Sequence, residues 1–127
     1  MARTDLGTRD VSLPYQWVGF EPISLKTGSM YVLYCQVQSG SMPEVYSTFS
    51  FRLRGKIDKG LVGVSPPLAL VEAVTEMQTV GLVVAEYWSE KTPIIIECRR
   101  NIFYRNQSNL ANASMQLQLD PKEEYEL

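Results

Sequence analysis

The sequence contains no histidine. That removes the commonest general base and the commonest metal ligand at once. A Ser-His-Asp or Cys-His catalytic site cannot be built within this chain. Cysteine is scarce: Cys35 and Cys98 are the whole supply. Two thiols far apart in sequence make neither a CxxC pair nor a zinc site of the usual Cys and His type. Each lies in an apolar, strand-like context and is expected to be a buried thiol, not half of a disulfide. Long apolar runs are absent too, and no stretch approaches the ~18 residues of a membrane-spanning helix. The first ten residues are polar and do not read as a secretory leader. Glycine-rich phosphate loops, EF-hand loops and nucleophile elbows are missing. No catalytic residue, metal or cofactor is therefore expected. The localisation that fits is the cytoplasm of the producing cell, or a virion. With no secretory route, the glycosylation patterns at Asn106-Gln107-Ser108 and Asn112-Ala113-Ser114 read as chance matches.

What is present is ordinary for a globular domain. The 127 residues are 45% hydrophobic, with a net charge of −2. A chain of this length can bury one core without staples. The charge gives no general attraction to nucleic acid or anionic membrane.

The chain is organised around the stretch from Tyr46 to Met77. Its first part alternates: Phe49, Phe51 and Leu53 fall on one face of a strand, and Ser50, Arg52, Arg54 and Lys56 on the other. A turn follows at Asp58-Lys59-Gly60. Ser65-Pro66-Pro67 has the chemistry of a helix start, and Leu70, Val71, Val74 and Met77 recur at helical spacing. A helix is predicted from Ser65 to Met77, with Glu72 and Glu76 on its solvated side.

Elsewhere the period is that of strands. Tyr31, Leu33, Cys35 and Val37 alternate with Tyr34, Gln36 and Gln38. Leu82 to Trp88 is rich in β-branched and aromatic residues. Ile94, Ile96, Cys98 and Ile102 share a face between Ile94 and Tyr104. Arg100 falls on that apolar face by strict count, so a bulge near Arg99–Asn101 is expected to turn it outward. Met115, Leu117 and Leu119 alternate with Gln116, Gln118 and Asp120. Val11 to Phe20 contains Pro14 and reads as an edge strand or extended lead-in.

The expected architecture is mainly β, a β-rich α+β fold: an antiparallel β-sandwich or open barrel of about six strands with one mid-chain helix. Residues 1–10 read as a flexible arm, 11–119 as a single β-rich domain, and 120–127 as an acidic mobile tail.

Two stretches are candidates for function. Four of the 12 basic residues, Arg52, Arg54, Lys56 and Lys59, fall within eight positions. Arg99 and Arg105 are candidates to join them, with Phe103 and Tyr104 as stacking surfaces. Cations interleaved with aromatics suit single-stranded nucleic acid, although the outer face of any half-buried sheet is polar. Lys59 to Gly63 resembles in outline the glycine loop of KH modules. That loop joins two helices, whereas this one follows a strand and reads as a plain turn. The second candidate is the terminal strand Met115, Gln116, Leu117, Gln118 and Leu119. It has no proline or charge within it, and so reads as an unprotected sheet edge suited to assembly. The function expected is non-enzymatic: a protein-interaction or self-associating assembly protein, of a size and composition that suit a small viral structural or accessory protein. The alternative is a single-strand nucleic-acid-binding β-domain.

Overall fold

The computed structural model describes residues 3–39, 47–67, 70–72, 78–102 and 112–121. In chain order its strands are β1 Thr4–Asp10, β2 Val18–Gly19, β3 Met30–Ser39, β4 Ser47–Lys56, β5 Val62–Val64, β6 Leu70–Glu72, β7 Gln78–Val83, β8 Ile95–Ile102 and β9 Ala113–Pro121. A 3-10 turn at Asp58–Gly60 joins β4 to β5. Among the described residues no helix is long and apolar enough to cross a membrane.

The strands form two antiparallel sheets in a β-sandwich. One has the order β1-β9-β3-β7; the other runs β2-β8-β4-β5, with β6 also paired to β4. The alternation seen in the sequence explains the core. Leu33, Cys35 and Val37 of β3, Leu82 of β7, and Met115, Leu117 and Leu119 of β9 point inward from the first sheet. Phe49, Phe51 and Leu53 of β4, with Ile96 and Cys98 of β8, meet them from the second. Facing layers of this kind interdigitate across ~10 Å, and each fully buried side chain of this size contributes about 1.5–3 kcal/mol. Trp88 closes one end of the core, where its backbone bridges Ile57. Gly63 is required there: a Cβ on it would lie 2.5 Å from Ile57 Cγ2 and 3.3 Å from the Trp88 ring. Cys35 and Cys98 are both free and buried.

Five expectations are corrected. The mid-chain helix is not formed where the chain is described. Leu70–Glu72 is a strand, with Val71 opposite Phe49. Ser65 caps nothing: its N–H donates to the Leu53 carbonyl and its Oγ accepts from the Leu53 N–H at 2.8 Å. The free edge of β4 needed hydrogen-bond partners along Thr48–Ser50, and pairing there outweighed the helical spacing of the apolar residues. Positions 68–69 and 73–77, including Val74, Glu76 and Met77, lie outside the described residues.

The N-terminal segment is not an arm. From Thr4 to Asp10 it is β1, paired with β9 from Thr4↔Leu119 to Asp10↔Ser114. Only Leu6 and the following Val11 enter the core from it, so little apolar period was there to be read. At the other end, Asp120 and Pro121 still belong to β9, opposite Val32 and Tyr31; residues 122–127 lie outside the described ones.

Met115–Leu119 is not an edge. β9 lies between β1 and β3 and is paired on both sides. Nor is there a bulge at Arg99–Asn101, since β4 and β8 pair without interruption from Ser47↔Ile102 to Arg54↔Ile95. Arg100 keeps its inward parity and is buried, and its Nη1 donates to the Ser12 carbonyl at 3.0 Å. Burial lowers the pKa of this guanidinium.

Candidate functional site

The outer face of the second sheet holds the predicted basic residues. The β4–β8 register sets Arg52 opposite Glu97, Ser50 opposite Arg99 and Thr48 opposite Asn101. Trp17 reaches this face from the extended segment leading into β2. That segment is fixed by the Tyr15 N–H donating to the Arg100 carbonyl and by the pairing of Val18 with Cys98.

These groups consume one another. Arg52 Nε donates to Glu97 Oε1 at 2.8 Å, and the Arg52 guanidinium carbon lies 4.0 Å from the centroid of the Trp17 ring. Arg99 lies 4.8 Å from the same ring, and its Nε donates to Asn101 Oδ1 at 3.0 Å. Asn101 Nδ2 then donates to Ser50 Oγ at 2.9 Å. Glu97, Asn101 and Ser50 are buried. A cation over an indole and a carboxylate against a guanidinium both favour this closed arrangement. Two of the predicted cations, Arg52 and Arg99, thus hold Trp17 onto the sheet.

Arg54 differs: its side chain is 54% exposed, against 24% for Arg52, and its Nη1 stands 3.8 Å from Glu97 Oε2. Lys56 and Lys59 are exposed. Arg105, Phe103 and Tyr104 lie outside the described residues. The structure therefore brings Arg52 and Arg54 together at Glu97, and Arg52 and Arg99 together at Trp17; Glu97 is not among the residues singled out from the sequence. Trp17 lies in the stretch Val11 to Phe20, read as an edge strand or extended lead-in, and the second of these describes it. The signal for both was weak: a lone acid amid basic residues, and a Trp in a segment without alternation.

The outer face of the first sheet is polar along β9, where Ser114, Gln116, Gln118 and Asp120 alternate with the core residues. At its β1–β9 end lies a hollow of about 460 Å³ whose lining includes Thr8, Asp10, Gln38 and Ser114. Ser12 donates to Asp10 Oδ1 through its hydroxyl and its backbone N–H, and these bonds lower the pKa of the Asp10 carboxyl.

The sheet edges differ in how they are protected. β1 carries charged residues and an irregularity between Asp5 and Gly7, and Gly7 has φ 88°. β2 is two residues long. β5 and β6 are three residues each, with Pro66 and Pro67 between them. β7 has none of these devices. Its six residues, QTVGLV, include no charge and no proline. Its register with β3 is unbroken from Met30↔Val83 to Cys35↔Gln78, and among the described residues nothing pairs with its other side. On the outer face the cross-strand partners Met30 and Val83 are 44% and 53% exposed. No known family, curated protein or solved structure matches this chain.

Proposed function

We propose that the chain is a non-enzymatic interaction and assembly module, and that β7 is the element through which it joins another chain. The supporting observation is the contrast among the edges: β7 alone among the described edge strands lacks charge, proline, irregularity and shortness. Charges, bulges and prolines are the ordinary means of keeping an edge from pairing. A strand added beside β7 satisfies its outward N–H and C=O groups, and main-chain bonds of this kind supply affinity in strand-addition complexes. The criterion applied to Met115–Leu119 in the sequence is met instead by Gln78–Val83.

Sedimentation of the full chain and of Thr79→Lys tests this. Thr79 is exposed on the outer face of β7, so lysine there leaves the core alone. The wild type is expected above the 14.4 kDa monomer mass, and the variant at it. A monomeric wild type at high concentration, or a variant of unchanged mass, overturns the proposal.

The alternative, single-strand nucleic-acid binding, retains three solvent-facing cations: Arg54, Lys56 and Lys59. It loses Arg52, Arg99 and the Trp17 ring to the closed network, which is why assembly is preferred.

A further inference from the structure

We infer that the partner at this edge is a second copy of the same chain, its β7 paired antiparallel with the first about a two-fold axis at Gly81; this rests on β7 being the interaction element proposed above.

The phase of β7 decides which groups are free. The Val84 N–H, just beyond the strand, donates to the Ser29 carbonyl at 2.9 Å. Hydrogen-bonded positions alternate along an antiparallel pair. The even-numbered residues of β7 therefore turn their backbone groups toward β3, and Thr79, Gly81 and Val83 turn theirs outward.

A strand paired with its own copy about an axis normal to the sheet is necessarily antiparallel and self-complementary. Directly opposed residues must point to the same face, so that Val80 and Leu82 stay on the core side. This requires the axis to pass through a residue, not between two. With the axis at Gly81, Gly81 opposes its own copy and Thr79 opposes Val83 of the second copy. All three outward residues then occupy hydrogen-bonded positions and exchange roughly six bonds. An axis at Val80 opposes Thr79 to Gly81 and carries Val83 past the first residue of the strand, wasting its free groups.

The side chains agree with the Gly81 axis. At this axis Gly81 opposes its own copy, and a Cβ built on it meets nothing within 4 Å, so a side chain introduced there projects from the outer face without a clash in its own chain. The exposed Val83, beside Met30, then receives Thr79 from the second copy as an outer-face neighbour. The two four-stranded sheets become one continuous sheet.

Cysteine pairing in the full-length chain tests the register. The native thiols are both buried and do not compete. Opposed hydrogen-bonded residues have Cα atoms ~5.5 Å apart, within the range of a disulfide. Residues offset by four positions are ~13 Å apart, which is out of range. Under mild oxidation, Gly81→Cys alone is expected to form a covalent species of twice the monomer mass. Thr79→Cys and Val83→Cys are expected to cross-link only when the two variants are mixed. Cross-linking of mixed Thr79→Cys and Gly81→Cys, without a Gly81→Cys homodimer, overturns the register. If no combination cross-links while Thr79→Lys still lowers the mass, the second copy meets this edge with another segment or in another register, and the β7–β7 pairing about Gly81 fails alone. If no combination cross-links and Thr79→Lys changes nothing, both the inference and the role of β7 fall.

Discussion

Arg52 and Glu97 are cross-strand partners whose side chains meet at 2.8 Å, with the carboxylate buried and the guanidinium beneath Trp17. The pair ties β4 to β8 and holds the Trp17 segment on the outer face. Arg52→Ala leaves Glu97 without its nearest cation and is expected to destabilise by about 2 kcal/mol; a hydrogen bond to a charged group is worth about that, and the partial exposure of Arg52 keeps the loss below that of a fully buried pair. Arg52→Glu sets two carboxylates against each other and should lower the melting temperature further. Arg54→Glu should change stability by less than about 1 kcal/mol, because that side chain is half exposed. Thermal melts of the three variants check the order. Equal melting temperatures for Arg52→Ala and wild type would show that the pair holds nothing in place.

The same geometry changes how the nucleic-acid alternative has to be tested. Charge reversal at Arg52 confounds binding with folding, because its guanidinium is held by Glu97 and Trp17. Arg54→Glu combined with Lys56→Glu and Lys59→Glu removes the solvent-facing cations and leaves Arg52, Arg99 and Trp17 in place, at the cost of only the 3.8 Å Arg54–Glu97 contact. If these side chains contact phosphates, oligonucleotide affinity falls in the triple variant and the salt dependence flattens by about one unit per lost contact. Unchanged affinity and slope would rule this face out.

Ser65 has a different part in the fold from the helix cap that its sequence context suggests. Read as a helix cap, Ser65→Ala is expected to cost about 1 kcal/mol. In the fold its hydroxyl accepts from the buried Leu53 N–H, so the substitution leaves a backbone donor unsatisfied, at about 1–3 kcal/mol. Hydrogen exchange separates the two: loss of protection should centre on Leu53 of β4, not on the residues that follow Ser65.

The strands that could be read in the sequence are those whose apolar and polar residues alternate over many positions: β3, β4, β8 and β9. Segments too short or too polar to show a period were not readable. β6 pairs over three residues only, and Leu70, Val71, Val74 and Met77 match a 3.6-residue period that the fold does not use. β1 sends a single side chain, Leu6, into the core, so a structural strand looked like a polar arm. Position in the chain misled as well: β9 was taken for an edge because it lies near the end, while β1 covers it. Arg100 was legible by parity, and the assumption that a charge must escape the core led away from it. The Arg52–Glu97–Trp17 network brings together residues from three distant segments, which no local pattern encodes.

The two thiols give a pH dependence with a definite sign. Burial pushes Cys35 up to about 12 and holds Cys98 well above the ordinary thiol value, with the neighbouring Cys35 adding to the second. In the unfolded chain both ionise near ~8.5. Folded thiols thus keep protons that the unfolded chain loses. Their contribution is complete below the unfolded value and declines as pH rises toward about 12 for Cys35, by about 1.4 kcal/mol per pH unit per thiol. Cys35→Ala should flatten the fall in stability between pH 9 and the folded thiol value. Identical slopes for variant and wild type would remove the thiols from the alkaline transition. Native alkylation near pH 8 is expected to label neither cysteine.

Two glycines in strands should respond to alanine with opposite signs. At Gly63 the added methyl would meet Ile57 Cγ2 at 2.5 Å, with the Trp88 ring 3.3 Å away. Ile57 is β-branched and Trp88 is buried, so neither has an easy rotamer to retreat to, and overpacking of this kind costs about 1–3 kcal/mol. At Gly81 the same methyl meets nothing within 4 Å and its φ is not in the positive range. Alanine there loses less conformational freedom on folding than glycine, a gain of about 0.5–1 kcal/mol. Denaturant midpoints should therefore fall for Gly63→Ala and rise for Gly81→Ala. Measurement at low protein concentration keeps any association through β7 from contributing. A Gly63→Ala variant as stable as wild type would mean that β5 does not press against Ile57 and Trp88 as closely as its geometry requires.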